Sequence, residues 1–139
     1  MDQIPPHPLW IGSTGDLRDW RRLHDLGITA VVQLAYEEPP LTLPHDLVAC
    51  RFPLLDGGDN EPALLRAAVF TLTQLLEHGF ATLVCCQAGQ SRSPAIAAAA
   101  LARGTREPFA VCLDKIAAYH ALNIHPAFCA QVQALCLEA

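Results

Sequence analysis

The segment that most restricts how this chain can fold runs from Ala81 to Ala102. An apolar run, Ala81-Thr82-Leu83-Val84-Cys85, leads into the loop Cys86-Gln87-Ala88-Gly89-Gln90-Ser91-Arg92-Ser93, and Pro94 then opens a stretch made almost wholly of Ala, Ile and Leu. A short apolar run bounded by turn residues reads as a buried strand. An alanine-rich helix with no polar side reads as one buried all round. A strand and a helix that are both buried need other elements on every side, so the segment predicts the centre of an α/β domain. The order strand, loop, helix start also aims successive backbone N–H groups and the positive end of a helix dipole at one point, where an anion is favoured. Arg92 adds a planar fork of donors that matches two oxygens of a phosphate. Cys86 lies in the same field, which predicts a lowered thiol pKa and a nucleophilic thiolate.

The remaining segments supply the surroundings. Leu9 to Ile11, closed by Gly12, reads as a first strand. Ser13 or Thr14 can cap a helix from about Asp16 to Leu26, whose Leu17, Trp20, Leu23 and Leu26 fall at helical spacing and which Gly27 ends. Ile28 to Leu34 and Leu47 to Leu54 read as strands, separated by a proline-rich loop over Glu37 to Pro44. The turn-rich run Asp56-Gly57-Gly58-Asp59-Asn60 predicts a mobile loop. Pro62 then starts a helix reaching His78, with Leu65, Val69, Leu72 and Leu76 inward and Gly79 as its stop. After the alanine-rich helix, Pro94 to about Arg103, two more follow, Pro108 to about His120 and Pro126 to about Leu137. The predicted architecture is a small, mostly parallel central sheet flanked by helices, in a single domain over residues 1–139.

Composition narrows the function classes. Hydrophobic residues make up 52% of the 139 residues and charged ones 17%, and the net charge is −5 with no run of Lys or Arg. A greasy, acidic chain of this kind is a globular domain and a poor binder of nucleic acid or anionic membranes. The N-terminus lacks a basic-then-apolar export pattern, which places the protein in the cytoplasm. With that placement and an ample core, the six cysteines at 50, 85, 86, 112, 129 and 136 read as reduced thiols, mostly buried. The histidines show no metal-ligand spacing, and His24, His78 and His120 read as helix-surface or helix-end residues.

Cys86 and Arg92, separated by five residues and followed by Ser93 and Pro94, resemble the signature of the cysteine-based protein phosphatases, and Gly89 with Ser91-Arg92-Ser93 is similar to its dual-specificity branch. Leu9-Trp10-Ile11-Gly12-Ser13 and Leu26-Gly27-Ile28-Thr29-Ala30-Val31-Val32 resemble that branch's opening strand, first helix end and second strand. The resemblance implies a phosphatase fold of the small atypical type and hydrolysis of phosphate monoesters through a cysteinyl-phosphate. In that reading Cys86 is the nucleophile, and Gln87, Ala88, Gly89, Gln90, Ser91 and Arg92 bind phosphate. Ser93 donates to the cysteine sulfur when it leaves. The resemblance places a general acid some thirty residues before the cysteine, at the end of a strand. Asp56 stands there after Arg51-Phe52-Pro53-Leu54-Leu55, with Asp59 in reserve. It implies no metal or organic cofactor, a monomer, and as partner a phosphorylated protein or a small phosphomonoester. Phosphoinositide phosphatases of this superfamily resemble one another in carrying lysines within the loop, whereas Gln87, Ala88, Gln90 and Ser91 carry no charge, which disfavours inositol lipids.

The pattern departs in one place. The residue before the nucleophile, usually histidine in this family, is Cys85. It reads either as an inward strand residue or as a thiol able to trap an oxidised Cys86. Two other functions stay open on the residues alone. A rhodanese-like sulfurtransferase also uses a cysteine in an anion-binding loop, and a phosphate-recognising module would keep the cradle without turnover.

Overall fold

The structure, a computed structural model, describes residues 1–137. Among these residues five strands form one sheet: β1 (Asp2–Gln3), β2 (Leu9–Ser13), β3 (Ala30–Ala35), β4 (Val48–Leu54) and β5 (Thr82–Cys86), in the order β1-β2-β5-β3-β4. β5 runs parallel to β2 and β3, β4 runs parallel to β3, and the short β1 alone is antiparallel. The carboxyl ends of four parallel strands therefore open on one edge. Every residue of β3 and β5 is buried, as their β-branched and apolar composition requires. β4 tolerates Pro53 because it lies at the edge of the sheet, where a missing N–H breaks no ladder.

Six helices complete the described chain: α1 (Thr14–Leu17), α2 (Trp20–Asp25), α3 (Pro62–Glu77), α4 (Arg92–Thr105), α5 (Phe109–Ala117) and α6 (Pro126–Cys136). The sheet divides two apolar clusters. Alternation along β5 sends Val84 and Cys86 into the larger one, with α3, α4 and α6, and Leu83 and Cys85 into the smaller one with Leu17, Leu23, Ile28 and Val31. α4 is buried all round from Arg92 to Leu101, and its alanines let α3, α5 and α6 pack close.

Several boundaries differ from the sequence reading: β2 runs on to Ser13 and α5 ends at Ala117 instead of about His120. The helix expected from Asp16 to Leu26 is two short helices. Ser13 and Asp16 form a reciprocal capping box that starts α1, and the Asp19 carboxylate then accepts from the Arg22 N–H at 3.3 Å and starts α2 afresh. The break rotates the second piece, so Leu17 and Leu23 stay in the core while Trp20 is 46% and Leu26 41% exposed. α4 begins at Arg92 rather than Pro94, which puts Arg92 and Ser93 in its first turn. Gly27 and Gly79 follow α2 and α3 at φ of +75° and +79°, the conformation that ends a helix where glycine is the residue of lowest cost.

Candidate active site

Each parallel strand delivers its next residues to the same edge, where open α/β sheets place ligands. β5 ends in Cys86, β2 leads to Gly12 and Ser13, β3 leads to Glu37 and β4 leads to Asp56. The loop from Gln87 to Ser91 then turns into α4. Gln87, Ala88 and Gln90 face solvent, whereas Gly89 and Ser91 are buried. Gly89 has φ of +75°, and a Cβ on it would lie 2.6 Å from the Gly12 carbonyl oxygen, so only glycine fits the turn.

Cys86 is 2% exposed. The Ser93 hydroxyl donates to its sulfur at 2.9 Å and the Ser93 N–H approaches the same atom at 3.5 Å. Thr14 fixes the end of β5 by donating its hydroxyl to the Cys86 carbonyl at 3.2 Å. Both donors belong to Ser93, in the first turn of the fourteen-residue helix α4, so the sulfur lies at that helix's N-terminal end. Ser91 stands at the N-cap position of α4 but does not cap it. Its hydroxyl donates to Asp56 Oδ1 at 2.6 Å, leaving the helix start open to an anion.

Arg92 is 4% exposed and held by a residue outside the loop. Its Nη1 and Nη2 donate to Glu37 Oε1 and Oε2, both at 2.6 Å, and Nη1 also donates to the Leu54 carbonyl at 2.8 Å. Its Nε–H is buried with no acceptor among the described residues. The idle Nε–H of this guanidinium is a donor left for a ligand. The hydrogen bonds from Arg92 hold the Glu37 carboxyl below the usual carboxylate range. Burial alone would depress Arg92, but Glu37 outweighs it and the guanidinium is held above its ordinary value. The Glu37 loop is pinned in turn. Arg51 donates to the carbonyls of Glu38 and Tyr36, and the Gln33 amide donates to the Pro39 carbonyl at 3.1 Å.

Asp56 lies on the exposed loop after β4, with Oδ1 accepting from the Ser91 hydroxyl. Asp59 is exposed on the same loop. In place of the mobile turn expected from its glycines, the loop is stapled. Asn60 accepts from the Leu55 N–H and donates to the Leu55 carbonyl, both at 2.8 Å, and Gln131 of α6 donates to the Asn60 carbonyl.

Cys86, Arg92, Ser93, Ser91 and Asp56 thus converge. Cys85 does not join them. It is fully buried on the opposite side of the sheet, and that burial, with the neighbouring Cys86 adding to it, pushes its thiol up to about 12. None of the six cysteines is paired with another. Among the described residues no group of His, Cys, Asp or Glu is placed to hold a metal ion, and no helix is long and apolar enough to cross a membrane. Glu37, Asn60 and Gln131 were not singled out by the sequence reading. The requirement that a buried arginine be paired could have pointed to Glu37-Glu38.

No protein-family description matches the sequence, and no curated protein does. Solved structures do match in shape. Human DUSP28 superposes with a TM-score of 0.85 at 24% identity, covering 96% of this chain and 94% of its own. DUSP15 gives 0.80 at 23% identity, covering 97% and 86%. The human tyrosine phosphatase-like serine/threonine/tyrosine-interacting protein gives 0.80 at 19% identity, covering 97% and 94%. A mixed five-stranded sheet with a cysteine-to-arginine loop at the carboxyl end of its central strand, superposing over nearly its whole length on these structures, has the fold of the dual-specificity phosphatases.

Proposed function

We propose that this chain is a phosphatase that hydrolyses phosphate monoesters through a cysteinyl-phosphate on Cys86. The observation that carries the reading is the pairing of an idle, buried Arg92 Nε–H with a Cys86 sulfur already receiving the Ser93 hydroxyl. In the first step Cys86 Sγ attacks phosphorus and the ester oxygen leaves with a proton from Asp56, whose Oδ2 is the oxygen not engaged by Ser91. Charge on the equatorial oxygens is met by Arg92 and the loop N–H groups. In the second step Asp56, now a carboxylate, takes a proton from water as the water attacks phosphorus. The sulfur then leaves as thiolate, stabilised by the Ser93 hydroxyl.

The substrate class that fits is a phosphorylated protein, with phosphotyrosine and phosphoserine or phosphothreonine both admitted, or a small phosphomonoester. The loop side chains Gln87, Ala88 and Gln90 are uncharged, while Glu37 and Asp56 sit beside the cradle. A headgroup carrying several phosphates would meet those carboxylates without compensating lysines. The test is hydrolysis of p-nitrophenyl phosphate across pH by the wild type, Cys86→Ser and Asp56→Ala. The expected result is no turnover in Cys86→Ser and a strong drop in Asp56→Ala with loss of the alkaline limb. If Asp59→Ala has that effect and Asp56→Ala does not, the acid is misassigned. Thiosulfate:cyanide transfer without phosphatase activity would identify a sulfurtransferase instead. Phosphopeptide binding without turnover would identify a recognition module.

A further inference from the structure

The convex side of the phosphate loop is held by the connection between α5 and α6, at three successive loop positions. Ring nitrogen Nε2 of His120 meets the Gly89 carbonyl at 2.5 Å, the Asn123 N–H donates to the Gln90 carbonyl at 2.9 Å, and the His125 N–H donates to Ser91 Oγ at 3.0 Å. In a trans peptide the C=O and N–H of one unit point in opposite directions. Drawing the Gly89 and Gln90 carbonyls outward therefore turns the N–H groups of Gln90 and Ser91 inward, toward the anion. The orientation of these donors is set from outside the loop.

Of the three contacts, only the one from His120 is made by a side chain that has a further partner. His120 lies in the turn after α5, its own N–H donating to the Ile116 carbonyl at 3.0 Å, and its side chain is 8% exposed. Its other ring nitrogen, Nδ1, lies 2.7 Å from Asp2 Oδ2 on β1. A peptide carbonyl can only accept, so Nε2 carries the hydrogen of the bond to Gly89, while Nδ1 ties the ring to Asp2. Asp2 lies on a strand that pairs with β2 and thus with the element carrying Gly12 beneath Gly89.

We propose that His120, held by Asp2, is a positioning residue that sets the Gly89–Gln90 peptide so that its N–H faces the bound phosphate. The inference rests on the phosphatase reading of the same loop. It predicts that a side chain able to reach both partners with donors at position 120 will serve, and that one without them will not. Arginine meets that requirement, since its planar fork reaches two acceptors. Alanine removes both bonds.

The experiment is titration of inorganic phosphate into the full-length chain, followed by NMR of the loop amides, for the wild type, His120→Ala, His120→Arg and Asp2→Asn. A urea unfolding curve is recorded for each. The expected result is about tenfold weaker phosphate binding in His120→Ala, the scale of one charge-assisted hydrogen bond. Asp2→Asn should be weakened less, and His120→Arg should return to within about twofold of the wild type. The Asp2→Asn/His120→Ala double variant should bind no more weakly than His120→Ala alone, since both act through one bridge. Wild-type phosphate affinity in His120→Ala, or an equal loss in His120→Arg and His120→Ala, would overturn the positioning role and leave the phosphatase reading standing. Absence of phosphate binding by the wild type would remove that reading and the proposal with it.

Discussion

Glu37 grips both terminal nitrogens of Arg92 at 2.6 Å, across 55 residues of sequence, and so leaves one edge of the guanidinium for a ligand. In Glu37→Gln a single amide oxygen can receive only part of this fork, and Arg92 gains freedom to turn. The KM for p-nitrophenyl phosphate should rise at least about tenfold, the scale of a charge-assisted bond. The sign of the pH effect follows from the Glu37 carboxyl lying below its ordinary 4.5 in the folded chain. A depressed carboxylate contributes stability that is fully present above the unfolded value and is lost as pH falls through the folded one. The difference in Tm between wild type and Glu37→Gln should therefore be constant above pH 4.5 and shrink below it. A difference that grows on acidification would contradict the clamp.

Gly89 and Gly27 share φ of +75° but not their surroundings. A Cβ at Gly27 meets nothing within 4 Å, whereas one at Gly89 strikes the Gly12 carbonyl. Gly27→Ala should cost about 1 kcal/mol, the price of the left-handed conformation alone, with kcat unchanged. Gly89→Ala should cost more and abolish phosphate binding, because backbone cannot yield as a side chain can. Urea midpoints and phosphate titration of the two variants check the contrast.

Asn60 ties both ends of the loop that carries Asp56, and its loss leaves the Leu55 N–H and carbonyl without that partner. Asn60→Ala should lower stability by about 1–3 kcal/mol. If Asp56 is the proposed acid, Asn60→Ala should also reduce kcat on substrates with poor leaving groups more than on p-nitrophenyl phosphate. Equal effects on both would mean that the staple acts on stability alone.

Cys85 and Cys86 are neighbours in sequence and lie on opposite faces of the sheet. Iodoacetamide at neutral pH should alkylate Cys86 in the folded protein and spare Cys85, whose thiol is pushed up to about 12. Peptide mass spectrometry reads the two sites separately. Labelling of Cys85 at the rate of Cys86 would contradict its burial.

These contrasts mark how far the sequence could be read. Cys86, Arg92 and Ser93 were legible because a strand, a tight turn and a helix start follow one another without interruption, so local geometry alone brings them together. The core stripe of α3 was legible for the same reason. Glu37 was not, because its proline-rich loop has no periodicity and its meaning comes from an arginine that follows the neighbouring strand, β5. His120 read as a helix-surface or helix-end residue; it lies in the turn just past α5, and the topology lays it against Gly89. Trp20 fitted a helical stripe until Asp19, itself a good capping residue, restarted the helix and turned it outward. What the sequence could not convey was which carbonyls and carboxylates would face these side chains across the sheet edge.

The central claim is that phosphate passes through Cys86, and Ser93 gives the direct way to see it. Removing the hydroxyl 2.9 Å from the sulfur should slow departure of the thiolate about 10- to 100-fold, so the intermediate accumulates. Ser93→Ala protein is mixed with p-nitrophenyl phosphate, quenched within the first turnover and digested for mass spectrometry. The account predicts a burst of nitrophenol and a phosphate on the Cys86 peptide, both absent in Cys86→Ser. Phosphate on a different residue, or hydrolysis by Cys86→Ser at the wild-type rate, would contradict it.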